Sequence, residues 1–222
     1  MMKKLLCLIL CICLACPFGL TSVVAADAET VLFAYDFETG TTVGADVPTM
    51  SDTVNMWTSR IESTTSKIKV YEDATQGRVA QYSNTATSNG GPCLLKSLYL
   101  DDSVTNMTVN YKFKTENASL SFNLVFADSS SQGFLSAKSS DWSTAKIVLN
   151  FETDTYASYV NGTLQQSGAI KFSDISALSL RFSTSVASGK YAYLDDVSVT
   201  TTSTVDLEAC NSLSVGLRNK FT

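Results

Sequence analysis

Apolar and polar positions alternate along most of this chain, in short runs separated by small polar clusters. In "MTVNYKFKT", residues 107–115, Val109, Tyr111 and Phe113 share one parity; in "LSFNLVFADS", 120–129, Leu120, Phe122, Leu124 and Phe126 share another. Period two over such a length predicts strands with one buried face. The pattern recurs in "TVLFAYDFE" (30–38), "KIKVYED" (67–73), "RVAQYS" (78–83), "AKIVLNFE" (145–152), "YASYVNG" (156–162), "ALSLRFST" (177–184) and "KYAYLDDVSV" (190–199). "TQG", "NGG", "TEN", "SSSQG", "NG" and "ASG" supply the turns between them. No longer window beyond the N-terminal leader has helical periodicity, and "ISALSL" (175–180) reads as one turn or an ordered loop. The expected fold is all-β, a two-sheet antiparallel jelly-roll sandwich of roughly ten or more short strands.

The first 26 residues read differently. "MMKK" is a positive n-region, Leu5 to Cys16 an apolar run, and "VVAADAE" offers small-residue cleavage sites after Ala25 or Ala26. This is the pattern of a secretory signal peptide, and it predicts a secreted product. A lipoprotein reading would anchor the chain at Cys16, but "CLAC" lacks the usual Leu three residues before the cysteine. The sandwich is expected over residues 31–200. The linker-like "TTTSTV" then opens a tail over 201–222, a short appended element or the start of a further module.

Charge and composition narrow the chemistry. The full chain carries −5, and losing Lys3 and Lys4 with the leader makes the product more acidic still, which disfavours nucleic acid and anionic membranes as partners. No later apolar run approaches a membrane span. Outside the leader only Cys93 and Cys210 remain, enough for one disulfide but no framework. The chain contains no histidine. Ser-His-Asp and Cys-His nucleophiles and His-ligated zinc are thereby excluded, and any catalysis would rest on carboxylates, Lys, Arg or Tyr.

Three features in order carry a resemblance: "YDFETGTTVG" at the start, "W…KIVLNFETDTYASYVNGTL" in the middle and "LRFSTSVASGKYAYLDDVSV" at the end. Together they resemble the concanavalin A-like lectin/glucanase superfamily, and within it the laminin-G-like and carbohydrate-binding modules of secreted bacterial proteins. Galactose-binding-like modules share the "FE.G" opening and the "YLDDVSV" close, but usually lack the Trp to Asn-Gly hairpin. The resemblance implies a last strand lying beside the first and a non-catalytic carbohydrate-recognition role. The implied partner is a polysaccharide or glycan, alongside a neighbouring catalytic module or protein. A polysaccharide-cleaving lyase or glycosidase on the same fold, and a structural or adhesive module, are the alternative readings.

The candidate residues follow. Trp57, Trp142, Tyr156, Tyr159 and Tyr191 lie near polar turns or strand ends, where a flat ring can stack on a pyranose. Phe113, Phe122, Phe126, Phe151 and Phe182 are expected in the core. Asp195 shares parity with Tyr191, Tyr193, Val197 and Val199, so it interrupts an apparently inward face. A buried carboxylate needs a partner or a metal. The resemblance implies structural Ca²⁺ held by Asp36, Glu38, Asp195 and Asp196, and hard oxygen ligands suit that ion; the alternative is hydrogen bonding at a bulge. Laminarinase-type relatives carry Glu-x-Asp-x-Glu on one strand. Here Glu152-x-Asp154 is followed by Tyr156, so the second catalytic carboxylate of a retaining mechanism is missing and no catalytic residue is assigned. Asn161-Gly162 predicts a type I′ turn, and "ETDT" a polar reversal.

Overall fold

The computed structural model describes residues 28–47, 58–60, 66–84, 92–126, 128–172 and 175–203. The leader with Cys16, Trp57, Cys210 and the chain from 204 onward lie outside the described residues.

Two antiparallel sheets form the sandwich. The larger runs β11 (Thr163–Ala169), β10 (Thr155–Val160), β9 (Ser143–Asn150), β6 (Val104–Thr115), β13 (Tyr191–Ser203), β4 (Gly77–Asn84) and β3 (Ser66–Asp73), with β1 (Ala28–Tyr35) also paired to β13. The smaller runs β2 (Thr58–Arg60), β5 (Cys93–Tyr99), β12 (Ala177–Thr184), β7 (Leu120–Phe126) and β8 (Ser131–Ala137). First and last strands are neighbours, with Tyr35 opposite Val197 and Phe33 opposite Val199. Among the described residues no helix is long and apolar enough to cross a membrane.

Alternation builds the core. Met107, Val109, Tyr111 and Phe113 of β6 face inward against Leu120, Phe122 and Leu124 of β7 and Leu178, Leu180 and Phe182 of β12. Tyr111 meets Phe182 edge-on at 5.1 Å and lies 6.2 Å from Phe122, tying the two sheets together. Each such aromatic pair adds about 0.5–1.5 kcal/mol beyond area burial. Cys93 is buried on β5. "ISALSL" is neither a turn nor a loop from Ala177 onward: its leucines enter β12 with period two.

The two reversals read from the sequence, at "ETDT" and at Asn161-Gly162, join three strands. β9 and β10 reverse through Phe151–Asp154, and β10 then turns at Asn161-Gly162 into β11. Asn161 and Gly162 have φ of 49° and 77°, as a type I′ turn requires. Asn161 also clamps β9: its Oδ1 accepts from the Thr144 N–H at 2.9 Å, and its Nδ2 donates to Ser143 Oγ at 3.1 Å. All seven residues of β11 are exposed, so that strand has no apolar face to mark it in the sequence.

A bulge in β13 corrects the parity reading of Asp195. Asp195 pairs with Lys112 and Ser198 with Asn110, so Asp196 and Val197 together oppose Tyr111 alone. Asp196 sits at a φ of 47°. The extra residue moves the inward parity from Ala192 and Leu194 to Val197 and Val199. Tyr191, Tyr193 and Asp195 therefore face away from the core, on the outer side of the larger sheet. The bulge also falls where β13 exchanges β4 for β1 along one edge.

Candidate functional site

Because the core claims one parity of each strand, the other parity of the larger sheet presents its side chains on the outer face. Lys112 and Lys114 come from β6, Lys146 from β9, Tyr159 from β10, Tyr191 and Tyr193 from β13, Gln81 from β4 and Tyr71 from β3. Trp142, just before β9, joins them. Tyr193 is the hub. Its ring lies 5.7 Å from Tyr71, 6.2 Å from Trp142 and 6.3 Å from Tyr191, and Lys114 Nζ sits 5.4 Å from its centroid. Gln81 Nε2 donates to the Tyr193 hydroxyl at 3.4 Å, and that hydroxyl faces Glu116 Oε1 at 3.4 Å. Burial, with the nearby Glu116 charge, pushes the phenol up to about 12. Tyr193 is itself buried, whereas Tyr71 is exposed and Trp142 and Tyr191 are half-buried. The hub fixes the geometry, and its neighbours offer the ring faces.

Asp73 anchors this cluster from the β3–β4 turn. Burial opposes its ionisation, but the Thr75 hydroxyl at 2.7 Å, the Thr75 N–H at 2.9 Å and the Gln76 N–H at 3.2 Å outweigh it. The Trp142 indole N–H also faces the carboxylate, though outside good hydrogen-bond geometry. Together these donors hold the Asp73 carboxyl down at about 2, and Lys114 Nζ completes the site at 3.7 Å from Asp73 Oδ2.

Beside the aromatic cluster lies a groove of about 570 Å³ lined by Asn110, Lys112, Thr144, Lys146, Tyr159 and Asp196, among others. Lys112 is pinned there, donating to Asp196 Oδ2 at 2.6 Å and to Gln76 Oε1 at 2.8 Å. Under the bulge, Asp195 is 2% exposed and its Oδ1 has no hydrogen-bond partner. Burial raises its carboxyl to about 7. The Asp196 N–H and the Lys112 charge oppose that rise, and the Asp196 and Asp36 charges add to it. Asp195 is thus a neutral acid in mildly acidic solution, which is how its burial is accommodated.

The expected calcium set does not assemble. Glu38 Oε1 accepts the Arg78 N–H at 2.7 Å, and the Glu38 carbonyl accepts from Arg78 Nη1 at 3.1 Å. Asp36 Oδ1 accepts the Glu38 N–H at 3.0 Å, and Asp196 is paired with Lys112. Among the described residues no group of three or more acidic, cysteine or histidine side chains is arranged to hold a metal ion. The four carboxylates are not arranged to share Ca²⁺: Glu38 ties the loop after β1 to the β3–β4 hairpin, Asp36 closes a turn within that loop, and the bulge separates the roles of Asp195 and Asp196.

The aromatic candidates divide. Trp142 and Tyr191 meet around Tyr193, and Tyr159 lines the groove. Tyr156 is a correction. It faces the core, 7% exposed, edge-on to Phe134 at 4.8 Å, with Gln166 Nε2 donating to its hydroxyl at 2.6 Å. Its ring faces are taken by packing, so it offers no stacking surface. Trp57 lies outside the described residues. Glu152 and Asp154 are exposed in the β9–β10 turn, Asp154 at a φ of 51°. Tyr71, Tyr193, Lys112, Lys114 and Lys146 carry the outer face without having been singled out in sequence. The available signal was their polar parity: Tyr71 alternates with Lys69, and Tyr193 with Asp195.

No protein-family model matches the chain, and no curated protein is similar to it in sequence. Its fold has counterparts among solved structures. A Bacillus subtilis protein described as having a galectin-like fold matches over 81% of this chain and 100% of its own, at 8% identity and a TM-score of 0.51. Arcelin-5, a lectin-like defence protein from Phaseolus vulgaris, matches over 79% and 99%, at 8% identity and a TM-score of 0.49. The first CBM22 xylan-binding domain of Paenibacillus barcinonensis Xyn10C matches over 82% and 100%, at 20% identity and 0.45. The two-sheet topology and the galectin-like match show the fold to be a jelly-roll sandwich of the galectin-like kind.

Proposed function

We propose that this chain is a secreted glycan-binding module and that the outer face of its larger sheet is the binding surface. One observation carries the reading: half-buried Trp142 and Tyr191 and exposed Tyr71 surround the buried hub Tyr193, directly beside a groove lined by amide, hydroxyl and ammonium groups. Sugar rings present apolar C–H faces and polar hydroxyl rims, and a face that pairs flat rings with fixed donors complements both. The hub, the Asp73 turn and the Asn161 clamp hold these groups before a ligand arrives, which lowers the ordering cost of binding. The leader-like N-terminus supports the secreted part of the reading.

Binding of the purified protein to a panel of soluble polysaccharides, followed by calorimetry, tests the proposal. The wild type binds at least one polymer, and Trp142→Ala weakens that binding by a factor of about five, equivalent to ~1 kcal/mol. Absence of binding across neutral and acidic polymers, or binding untouched by Trp142→Ala and Tyr191→Ala, would refute the assignment. The glycosidase alternative has no supporting geometry in the Glu152–Asp154 turn, where both side chains are exposed and Tyr156 points into the core.

A further inference from the structure

We propose that Tyr159, Lys146 and Asn110 form a subsite for an anionic sugar, whose ring rests on Tyr159 while its acidic substituent pairs with the Lys146 ammonium. The inference rests on the glycan-binding reading and specifies its ligand class. Sheet register makes these residues neighbours: Lys146 pairs with Tyr159 across the β9–β10 ladder and with Asn110 across the β6–β9 ladder. A ring, a cation and an amide thus stand in one row over three strands, and all three line the groove. Directly opposed side chains in such ladders lie roughly 5 Å apart, a spacing at which one ligand can touch neighbouring positions together.

The charges decide the ligand class. Lys112 and Asp196, the other charged groups lining the groove, neutralise each other at 2.6 Å. Elsewhere on the outer face, Lys69 pairs with Asp46 at 3.7 Å and Lys114 with Asp73 at 3.7 Å. Lys146 has neither an ion pair nor a side-chain hydrogen bond among the described residues. The chain as a whole carries −5, so an unmatched cation inside a ligand-sized groove is a local reversal of sign. An ammonium offers three donors on a flexible stem and accepts either a carboxylate or a sulfate. Lys146 is exposed, so it reaches an anion without first being buried and desolvated. Asn110 supplies both a donor and an acceptor for hydroxyls beside the charge. A neutral sugar would stack on the same tyrosine and leave the ammonium to water.

The test compares polygalacturonate, the same polymer with its carboxyls reduced to alcohols, and a sulfated galactan, by calorimetry at low and high salt. The wild type binds an anionic polymer about tenfold more tightly than the reduced polymer, the size expected for one charge-assisted contact. That preference shrinks at high salt, because an exposed pair is screened. Lys146→Gln abolishes the preference and keeps the residual neutral binding, whereas Lys146→Arg retains it. Tyr159→Ala weakens acidic and reduced polymers alike. Preference for the uronate names a carboxylate ligand, and preference for the galactan names a sulfate; either supports the subsite. Equal binding of acidic and reduced polymers, or a preference that survives Lys146→Gln, overturns this inference while leaving glycan binding intact. Binding of no polymer overturns both. A melting temperature unchanged in Lys146→Gln shows that the variant is folded.

Discussion

Trp142 and Tyr193 lie 6.2 Å apart at an interplanar angle of 54°, joining the entry to β9 with the last strand across β6. Neither ring is in the core between the sheets. Tyr193 is buried by its own outer-face neighbours, a use of aromatic area that adds little to the sandwich interior and much to the order of one surface. Tyr193→Leu is therefore expected to cost about 1–2 kcal/mol of stability through lost ring contacts. Glycan affinity should fall by more than that modest loss of folded protein explains. Denaturant titration alongside calorimetry of the same samples separates the two effects.

Asp195 gives a pH dependence with a definite sign. Its carboxyl is raised from an ordinary 3.8 to about 7 in the folded chain, so the folded state holds a proton that the unfolded state releases. The stabilising contribution is complete below about pH 4 and is lost as pH rises to about 7. Asp195→Asn keeps an acceptor and removes the titration. The variant should gain stability relative to wild type as pH rises through that window, reaching on the order of 2 kcal/mol at pH 8. That is roughly half the full conversion of the shift, since water and relaxation screen the charge. Melting curves from pH 4 to 8 provide the check, and parallel curves for the two proteins would contradict it.

Tyr156 separates packing from binding. Enclosed against Phe134 and bonded by Gln166, it should behave as a core residue. Tyr156→Ala is expected to lose about 3 kcal/mol or more through the cavity it leaves. Binding measured well below the lowered melting temperature should remain within a factor of about two of wild type, a difference of ~0.4 kcal/mol.

Gly77 closes the hairpin that carries Asp73. Its φ is 77°, and a β-carbon there would collide with Glu38 Oε1, the acceptor of the Arg78 N–H. Gly77→Ala should cost roughly 1–2 kcal/mol from the left-handed backbone alone. Displacing Glu38 adds to this and loosens the Asp73 turn beneath Trp142. Chemical denaturation measures the stability, and quenching of tryptophan fluorescence by iodide reports the loosening as increased access.

Most strands that pack were legible because packing writes itself as period two. β5 and β8 were not read as strands, since buried residues stand side by side in each (Cys93 and Leu94, Phe134 and Leu135) and β8 opens within the turn-like "SSSQG". Phe113, Phe122, Phe126 and Phe182 are all in the core, and Asn161-Gly162 reads directly as a turn because two positive φ values suit those residues. β11 was not legible: it is held by backbone pairing to β10 and has no apolar side to show. Asp195 was misread for a different reason. Parity assumes an unbroken ladder, and the bulge at Asp196 inverts it midway through β13. The same inversion places Tyr191 and Tyr193 outside, assembling a face from residues whose sequence neighbours look like core. Tyr156 has the opposite problem: its polar setting near "ETDT" hides that it pairs with Leu149 and shares that residue's inward side.

The affinity expected for a shallow face of this kind is micromolar to millimolar, about −8 to −4 kcal/mol. Chemical-shift mapping suits that range and tests the central claim most directly. The isotope-labelled protein is titrated with oligosaccharides prepared from polygalacturonate and from xylan. Perturbations should concentrate at Lys112, Lys114, Trp142, Lys146, Tyr159 and Tyr191, on the outer face of the larger sheet. Shifts centred on β5, β12 and β7 of the smaller sheet, or none with either oligosaccharide at millimolar concentration, would contradict it.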